Sequence, residues 1–257
     1  MLIDTHAHLF YPNFADDLDE VIERSDEAGV DFILVPGTDI KTSREAVELA
    51  ERYDKIFAAI GVHPHDTKDW KEEWLKELDE LTHSVKVVGI GEIGLDYYYD
   101  FSPKDIQNTA FRKQIDFALD KNLPIVVHNR ESNNDMMTTI RSYDGKNLRA
   151  QFHCFAGSAE DAKELVELGH LISFPGNITF KKQDSLRQIV STIPIQKLMI
   201  ETDSPFMTPV PHRGKRNEPM QVKLVAEQLA EIHNLSFEEA ARITSENAMN
   251  FFNLVKR

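Results

Sequence analysis

The chain is 257 residues long, 41% hydrophobic and 28% charged, with a formal net charge of −14. That length suits two small domains or one barrel of strands and helices, typically about 250 residues, and is enough to bury a sizeable core. The composition is that of a globular chain; the apolar runs are too short to span a bilayer, and the negative charge argues against a protein that coats nucleic acid through bulk electrostatics.

The N-terminus lacks the basic start and apolar core of a secretion signal. The one cysteine, Cys154, permits no internal disulfide. Both features point to a reducing cytoplasm. The net charge still allows an enzyme that grips a strand end through a local basic loop and bound cations.

Apolar runs of strand length recur at intervals of roughly 25–35 residues, with helical patterns between them. The first strand is expected over 2–5, followed by a helix over 16–28 with Leu18, Val21 and Ile22 on one face and Gly29 as its stop. Strands follow at 32–35, closed by Pro36-Gly37, and at 57–61, with a helix over 43–53 between them. A helix carrying Trp70, Trp74, Leu75 and Leu78 leads to a strand over 87–92. A long helix over 104–121 precedes a strand over 124–128, and further strands fall at 150–153, 171–174 and 197–201. Strands alternating with helices predict one domain over 1–257, a TIM-type (β/α)8 barrel. The alternative is an open doubly wound sheet, but no glycine-rich dinucleotide turn follows the first strand. After the last strand comes a loop rich in proline and basic residues, then helices over 219–233 and 237–252, the latter an extra C-terminal helix. Ser236 with Glu239 forms a capping-box pattern at its start.

The strand ends carry the chemistry. His6 and His8 lie two apart at the end of the first strand, so both point to one side. Two such imidazoles are two thirds of a metal site. Later ends supply His63, Glu92, His128, His153 and Asp203. A histidine at any one strand end is more often a satisfied polar residue; the set, converging on the face where barrels hold active sites, argues for a shared role. Apart from His63, the four histidines (His6, His8, His128 and His153) and two carboxylates suit two divalent cations better than one. Nitrogen and oxygen donors without thiolate suit Zn, Mn, Fe or Ni, and Mg less well because it prefers more oxygen.

The words around these residues narrow the reading. Asp4-Thr5-His6-Ala7-His8, Gly91-Glu92-Ile93-Gly94-Leu95-Asp96-Tyr97, His153-Cys154-Phe155-Ala156-Gly157, Glu201-Thr202-Asp203-Ser204-Pro205 and Arg213-Gly214-Lys215-Arg216-Asn217-Glu218-Pro219 together resemble the TatD family of metal-dependent deoxyribonucleases, in the amidohydrolase superfamily. The resemblance covers nearly the whole chain. It implies two divalent metal ions (Mg, Mn, Zn or another), with His6, His8, Glu92 and Asp203 around one and Glu92, His128 and His153 around the other. It also implies phosphodiester hydrolysis, often from the 3′ end of single-stranded DNA. In that reading a metal-bound water attacks phosphorus and Asp203 accepts its proton.

Other residues are open to two readings. His63 could contact a phosphate oxygen or a bound water, or serve structure beside Pro64; His65 is expected in solvent. Arg130 could pair with phosphate or form an ordinary loop ion pair. Arg213, Lys215 and Arg216 could bind substrate, since loops after the last barrel strands often hold phosphate; Asn217 could instead cap the next helix. Tyr97, Tyr98, Tyr99 and Phe155 could stack bases or simply pack. Cys154, alternating away from His153, is expected as a buried core thiol. A binuclear hydrolase of a small amide, lactone or ester is the alternative function, and the basic loop argues against it. A non-catalytic metal protein is a third reading, opposed by the open ligand set, because structural zinc sites are normally closed. Single-stranded DNA ends are the expected partner, with no membrane and no obligate protein partner.

Overall fold

A computed structural model describes residues 1–254; the last three positions of the domain expected over 1–257 lie outside the described residues. Eight parallel strands follow one another in chain order around one sheet. They are β1 (Leu2–Asp4), β2 (Val30–Pro36), β3 (Ile56–Ile60), β4 (Val87–Asp96), β5 (Ile125–Arg130), β6 (Ala150–Phe152), β7 (Leu171–Phe174) and β8 (Leu198–Ile200). Helices α1 (Leu18–Glu27), α2 (Ile40–Arg52), α3 (Trp74–Leu81), α4 (Lys104–Asp120), α5 (Asn133–Arg141), α6 (Ala159–Glu167), α7 (Asp184–Thr192) and α8 (Val222–His233) form the connections, and α9 (Phe237–Phe252) follows. The seam between the first and last strands closes through hydrogen bonds from the Thr5 amide to the Ile200 carbonyl and from the Asp203 amide to the His6 carbonyl. The fold is a nearly closed TIM-type (β/α)8 barrel with a C-terminal helix, as the alternation of strands and helices predicted. No helix of the described residues is long and apolar enough to cross a membrane.

The period of two along each strand sorts the side chains into two cores. One set, including Ile33, Val35, Ile60, Ile93 and Val127, packs outward against the helices. The other points into the barrel: Ile3, Phe32, Phe57, Val88, Val126 and Met199, closed at one end by Phe251 and Phe252 of α9. Burying a phenylalanine side chain is worth about 1.5–3 kcal/mol, so α9 belongs to the barrel core. Its start matches the expected capping box: the Ser236 side chain accepts from the Glu239 amide. Above the apolar floor, the inward positions turn polar. Gln151 Nε2 donates to Thr5 Oγ1 and Ser173 Oγ, each at 2.8 Å, and Ser173 Oγ donates to Glu201 at 2.7 Å.

Several boundaries differ from expectation. β4 does not end at Glu92 but runs on to Asp96, with a register irregularity between Ile90 and Ile93 where it pairs with β5. Glycine makes this possible: Gly94 sits at φ +147°, and a Cβ there would lie 1.9 Å from the His128 carbonyl oxygen. Trp70 is not in α3; it closes a 3-10 turn over Pro64–Asp69, and the helix starts only at Trp74. The expected 219–233 helix begins as a 3-10 turn over Pro219–Gln221 before α8.

Candidate metal centre

β1 stops at Asp4, and the chain runs on along the rim through His6 and His8. Asp4 ties this segment to the end of β8. Its Oδ1 accepts from the His6 and Thr202 amides at 3.2 and 2.8 Å, and its Oδ2 from the Thr202 hydroxyl at 2.6 Å. Burial pushes the Asp4 carboxyl up to about 7, against the pull of those hydrogen bonds. The His8 amide completes the seam by donating to the Ser204 carbonyl at 2.8 Å. Asp203 adopts φ 54°, a left-handed turn that breaks the strand's alternation. Glu201 therefore stays inward on Ser173, while Asp203 turns to the histidines.

Glu92 stands between two groups of imidazoles. Its Oε2 lies 3.3 Å from His6 Nε2 and 3.6 Å from His8 Nε2. Those two nitrogens face each other at 3.1 Å, with Asp203 Oδ1 at 3.9 and 3.7 Å from them. The other oxygen, Oε1, lies 2.8 Å from both His128 Nδ1 and His153 Nε2, and 3.4 Å from His63 Nε2. The structure thus brings His6, His8, His63, Glu92, His128, His153 and Asp203 to one place. His6–His8–Asp203 and His63–Glu92–His128 are each close enough to share an ion.

Charge separates the two groups. Burial holds His8 down at about 4 and His6 well below the usual imidazole range, so both stay neutral with lone pairs free. Burial, with the charge of His128, holds His63 at about 4. Burial would lower His128 too, but hydrogen bonds to Asp96 and Glu92 raise it to about 9. Burial would lift Glu92, yet His153, His63 and His128 hold it well below the usual carboxylate range. Burial and neighbouring carboxylates lift Asp203 and Glu201 well above it. Around His6, His8 and Asp203, buried carboxyls crowded against neutral, lone-pair-bearing imidazoles lack positive charge, which a divalent cation would supply; the donor set fits one.

Asp96 lies in the motif around Glu92, but the sequence alone assigns it no role. Two residues per repeat along β4 put Glu92, Gly94 and Asp96 on one side, and that spacing could have found it. Asp96 Oδ2 lies 2.9 Å from both His128 Nε2 and His65 Nε2, and its Oδ1 accepts from the Tyr98 and Tyr99 amides at 3.0 and 3.1 Å. His65, expected in solvent, is instead half-buried on Asp96, because the 3-10 turn after His63 folds it back over β4.

The candidate substrate contacts divide. The Arg130 guanidinium is exposed and lies 3.9 Å over the Tyr98 ring and 5.0 Å from that of Tyr99. Tyr98, Tyr99 and Phe101 are exposed beside it. Tyr97 is tied to Asp135 at 2.5 Å, and Phe155 is buried. On the far side, Arg216 binds Asp17 and Glu218, each at 2.7 Å, and the Asn13 carbonyl at 2.5 Å. Arg213 lies 3.8 Å over Phe180, and Lys215 is exposed. Asn217 caps no helix: its side chain donates to the Thr202 and Phe206 carbonyls at 2.8 and 2.6 Å, pinning the loop to the end of β8. Cys154 is not in the core. β6 stops at Phe152, and Cys154 turns at φ 45° and is half-buried, with burial and nearby carboxylates lifting its thiol well above its usual value.

Comparison with known proteins identifies the family. Residues 3–253 match the model of the "TatD related DNase" family. An uncharacterized metal-dependent hydrolase, YabD of Bacillus subtilis, is 49% identical over 99% of this chain and 100% of its own length. The 3′-5′ ssDNA/RNA exonuclease TatD of Shigella flexneri is 32% identical over 98% of this chain and 99% of its own. The crystal structure of the TatD homologue YjjV from Escherichia coli superposes with a TM-score of 0.92 at 30% identity, covering 99% of this chain and 98% of that one. The chain belongs to the TatD family of metal-dependent hydrolases.

Proposed function

We propose that this chain is a cytoplasmic phosphodiesterase of one catalytic domain, acting as a 3′→5′ exonuclease on single-stranded DNA with two divalent ions at its centre. The observation that carries the reading is Glu92, whose two oxygens face two different sets of imidazoles. A carboxylate so placed suits a bridge: His6, His8 and Asp203 on its Oε2 side, His128 and His153 on its Oε1 side. Bound there, the ions would lower the pKa of water and neutralise charge on the phosphoryl oxygens.

The protein's own groups do the rest. Asp203 Oδ1, 3.7 Å from His8 Nε2, is placed to take the proton from the attacking water. Neutral His63, whose Nδ1 accepts from the His65 amide, presents its Nε2–H toward Glu92 Oε1 and can hold a phosphoryl oxygen there. Arg130 and the exposed rings of Tyr98 and Tyr99 offer a phosphate contact and two stacking faces beside the centre. Arg213 and Lys215 offer further phosphate contacts, with Arg216 anchoring their loop. The Shigella relative's name supports a nucleic acid substrate.

The test is to incubate metal-reconstituted protein with 3′- and 5′-labelled single-stranded DNA and RNA. A ladder shortening from the 3′ end of DNA is expected. Turnover of p-nitrophenyl acetate with none of bis-p-nitrophenyl phosphate or of either nucleic acid would overturn the reading in favour of a carbon-centre hydrolase.

A further inference from the structure

Behind the ligands lies a carboxylate that the reaction leaves without a task. Glu201 is fully buried. Its Oε2 accepts from Ser173 Oγ at 2.7 Å and its Oε1 from the Cys154 amide at 2.6 Å, with Gln151 Nε2 3.4 Å from Oε2. A carboxylate has about four lone-pair sites, so Oε1 has room for another donor.

Two imidazoles nearby each have a ring nitrogen without an acceptor. His6 and His153 lie ring on ring, 3.9 Å between centroids and 13° from parallel. Each turns its Nε2 to Glu92, His6 at 3.3 Å from Oε2 and His153 at 2.8 Å from Oε1. In each, the opposite nitrogen, Nδ1, is buried without a hydrogen-bond partner. A neutral imidazole that ligates through Nε2 carries its proton on Nδ1, and such histidines almost always donate that proton to a carboxylate, carbonyl or water. Glu201 Oε1 is 3.8 Å from His153 Nδ1. One ligand-capable atom from each of His6, His153 and Glu201 lies within 4.8 Å of the other two.

We propose that Glu201 is a positioning residue shared by both ligand sets, the carboxylate toward which the Nδ1–H groups of His6 and His153 point. This rests on the metal assignment above. His6 belongs to the Oε2 side of Glu92 and His153 to the Oε1 side, so one buried side chain sets the orientation of a ring on each. The polar layer of Thr5, Gln151 and Ser173 holds that side chain in place, which explains why a barrel interior so close to an apolar floor carries hydroxyls and an amide.

The test uses the full-length protein and Zn²⁺, with affinity read by competition against a chromophoric chelator. Imidazole Nδ1–H signals of the zinc-loaded protein are read by ¹⁵N–¹H NMR. Glu201→Gln keeps the size and removes the charge. Loss of such a partner generally weakens metal binding by about 10–100-fold; we expect that loss at both ions, with the His6 and His153 Nδ1–H signals moved or lost to exchange. Ser173→Ala touches no imidazole and frees one lone pair of Glu201, so it should give a smaller loss in the same direction. Unchanged Zn²⁺ affinity with unmoved Nδ1–H signals in Glu201→Gln overturns the proposal, as does a loss confined to one ion. If Glu201→Gln does not fold, unchanged affinity in Ser173→Ala overturns it instead. Wild-type protein that takes up no Zn²⁺ overturns the metal assignment and this role together, whereas intact wild-type binding with unmoved variants removes only the role of Glu201.

Discussion

The two sides of Glu92 are built differently. The Oε2 side, from β1 and β8, is laced shut: Asp4 holds the His6 and Thr202 amides, Asn217 pins the following loop, and Arg216 is locked to Asp17 and Glu218. Its histidines are neutral. The Oε1 side, from β3 to β6, is tied through Asp96, which joins His128 to His65 and to the start of an exposed aromatic segment. There His128 is held near 9 and Arg130 lies open over Tyr98. A rigid side suits fixed geometry for the proton-accepting carboxylate, and an open side suits gripping a polymer. Arg216 is engaged in internal ion pairs, whereas Arg130 faces solvent over Tyr98.

The largest expected effect comes from breaking the rigid side at its base. Asp203→Asn keeps the size and one oxygen able to ligate but removes the proton acceptor. General-base catalysis is worth about 10²–10⁴-fold, so turnover of a small phosphodiester at saturating metal should fall by that much, with folding intact and at least one ion bound. Near-normal turnover in Asp203→Asn beside a dead Glu201→Gln would shift the base two residues back along the chain.

Breaking the open side should cost one ion. The His128→Ala/His153→Ala double variant is expected to bind one divalent ion per chain where the parent binds two, measured by metal analysis after dialysis. Two tight ions in that variant would mean the two sides of Glu92 are not two sites.

The rims give a milder contrast. Tyr98→Ala with Tyr99→Ala should raise KM for single-stranded DNA by about tenfold or more, because stacking is worth about 1–3 kcal/mol per base. Arg213→Ala with Lys215→Ala should act less on affinity and more on salt. Losing two phosphate contacts to a single strand lowers the slope of log affinity against log salt by about 1.4. Neither pair should change turnover of a small chromogenic diester. Equal losses on both substrates would show that the rims support the centre and not the polymer.

The smallest effect is a pH dependence of the locked side. Hydrogen bonds from Arg216 and Arg24 hold Asp17 down at about 2, below its ordinary value near 3.8. A carboxyl whose folded value is depressed stabilises the fold above its unfolded value and loses that contribution as pH falls toward the folded one. The Tm gap between the parent and Arg216→Gln should therefore be full at pH 5 and shrink by pH 2.5. A gap that stays constant over that range would mean the Asp17–Arg216 pair adds nothing to stability.

Much of this molecule was legible as periodicity. Strand-length apolar runs, helical spacing between them and polar residues at the strand ends are local patterns, and they were enough to place the barrel and to name His6, His8, Glu92, His128, His153 and Asp203 as candidates. Sequence alone could not say which way each side chain turns once a strand ends. Alternation along a continuing strand would put Glu201 and Asp203 on the same inward face; the left-handed turn at Asp203 sends them to different neighbours. The continuation of β4 to Asp96 depended on Gly94 meeting the His128 carbonyl across strands, a contact between residues 34 positions apart in the chain. That Arg216 is not open to a ligand depended on Asp17, 199 positions away in the chain. Local propensity is set by neighbours in the chain, whereas pairing of charges, burial of a carboxyl and the tautomer of an imidazole are set by neighbours in space, and only the closed barrel brings those together.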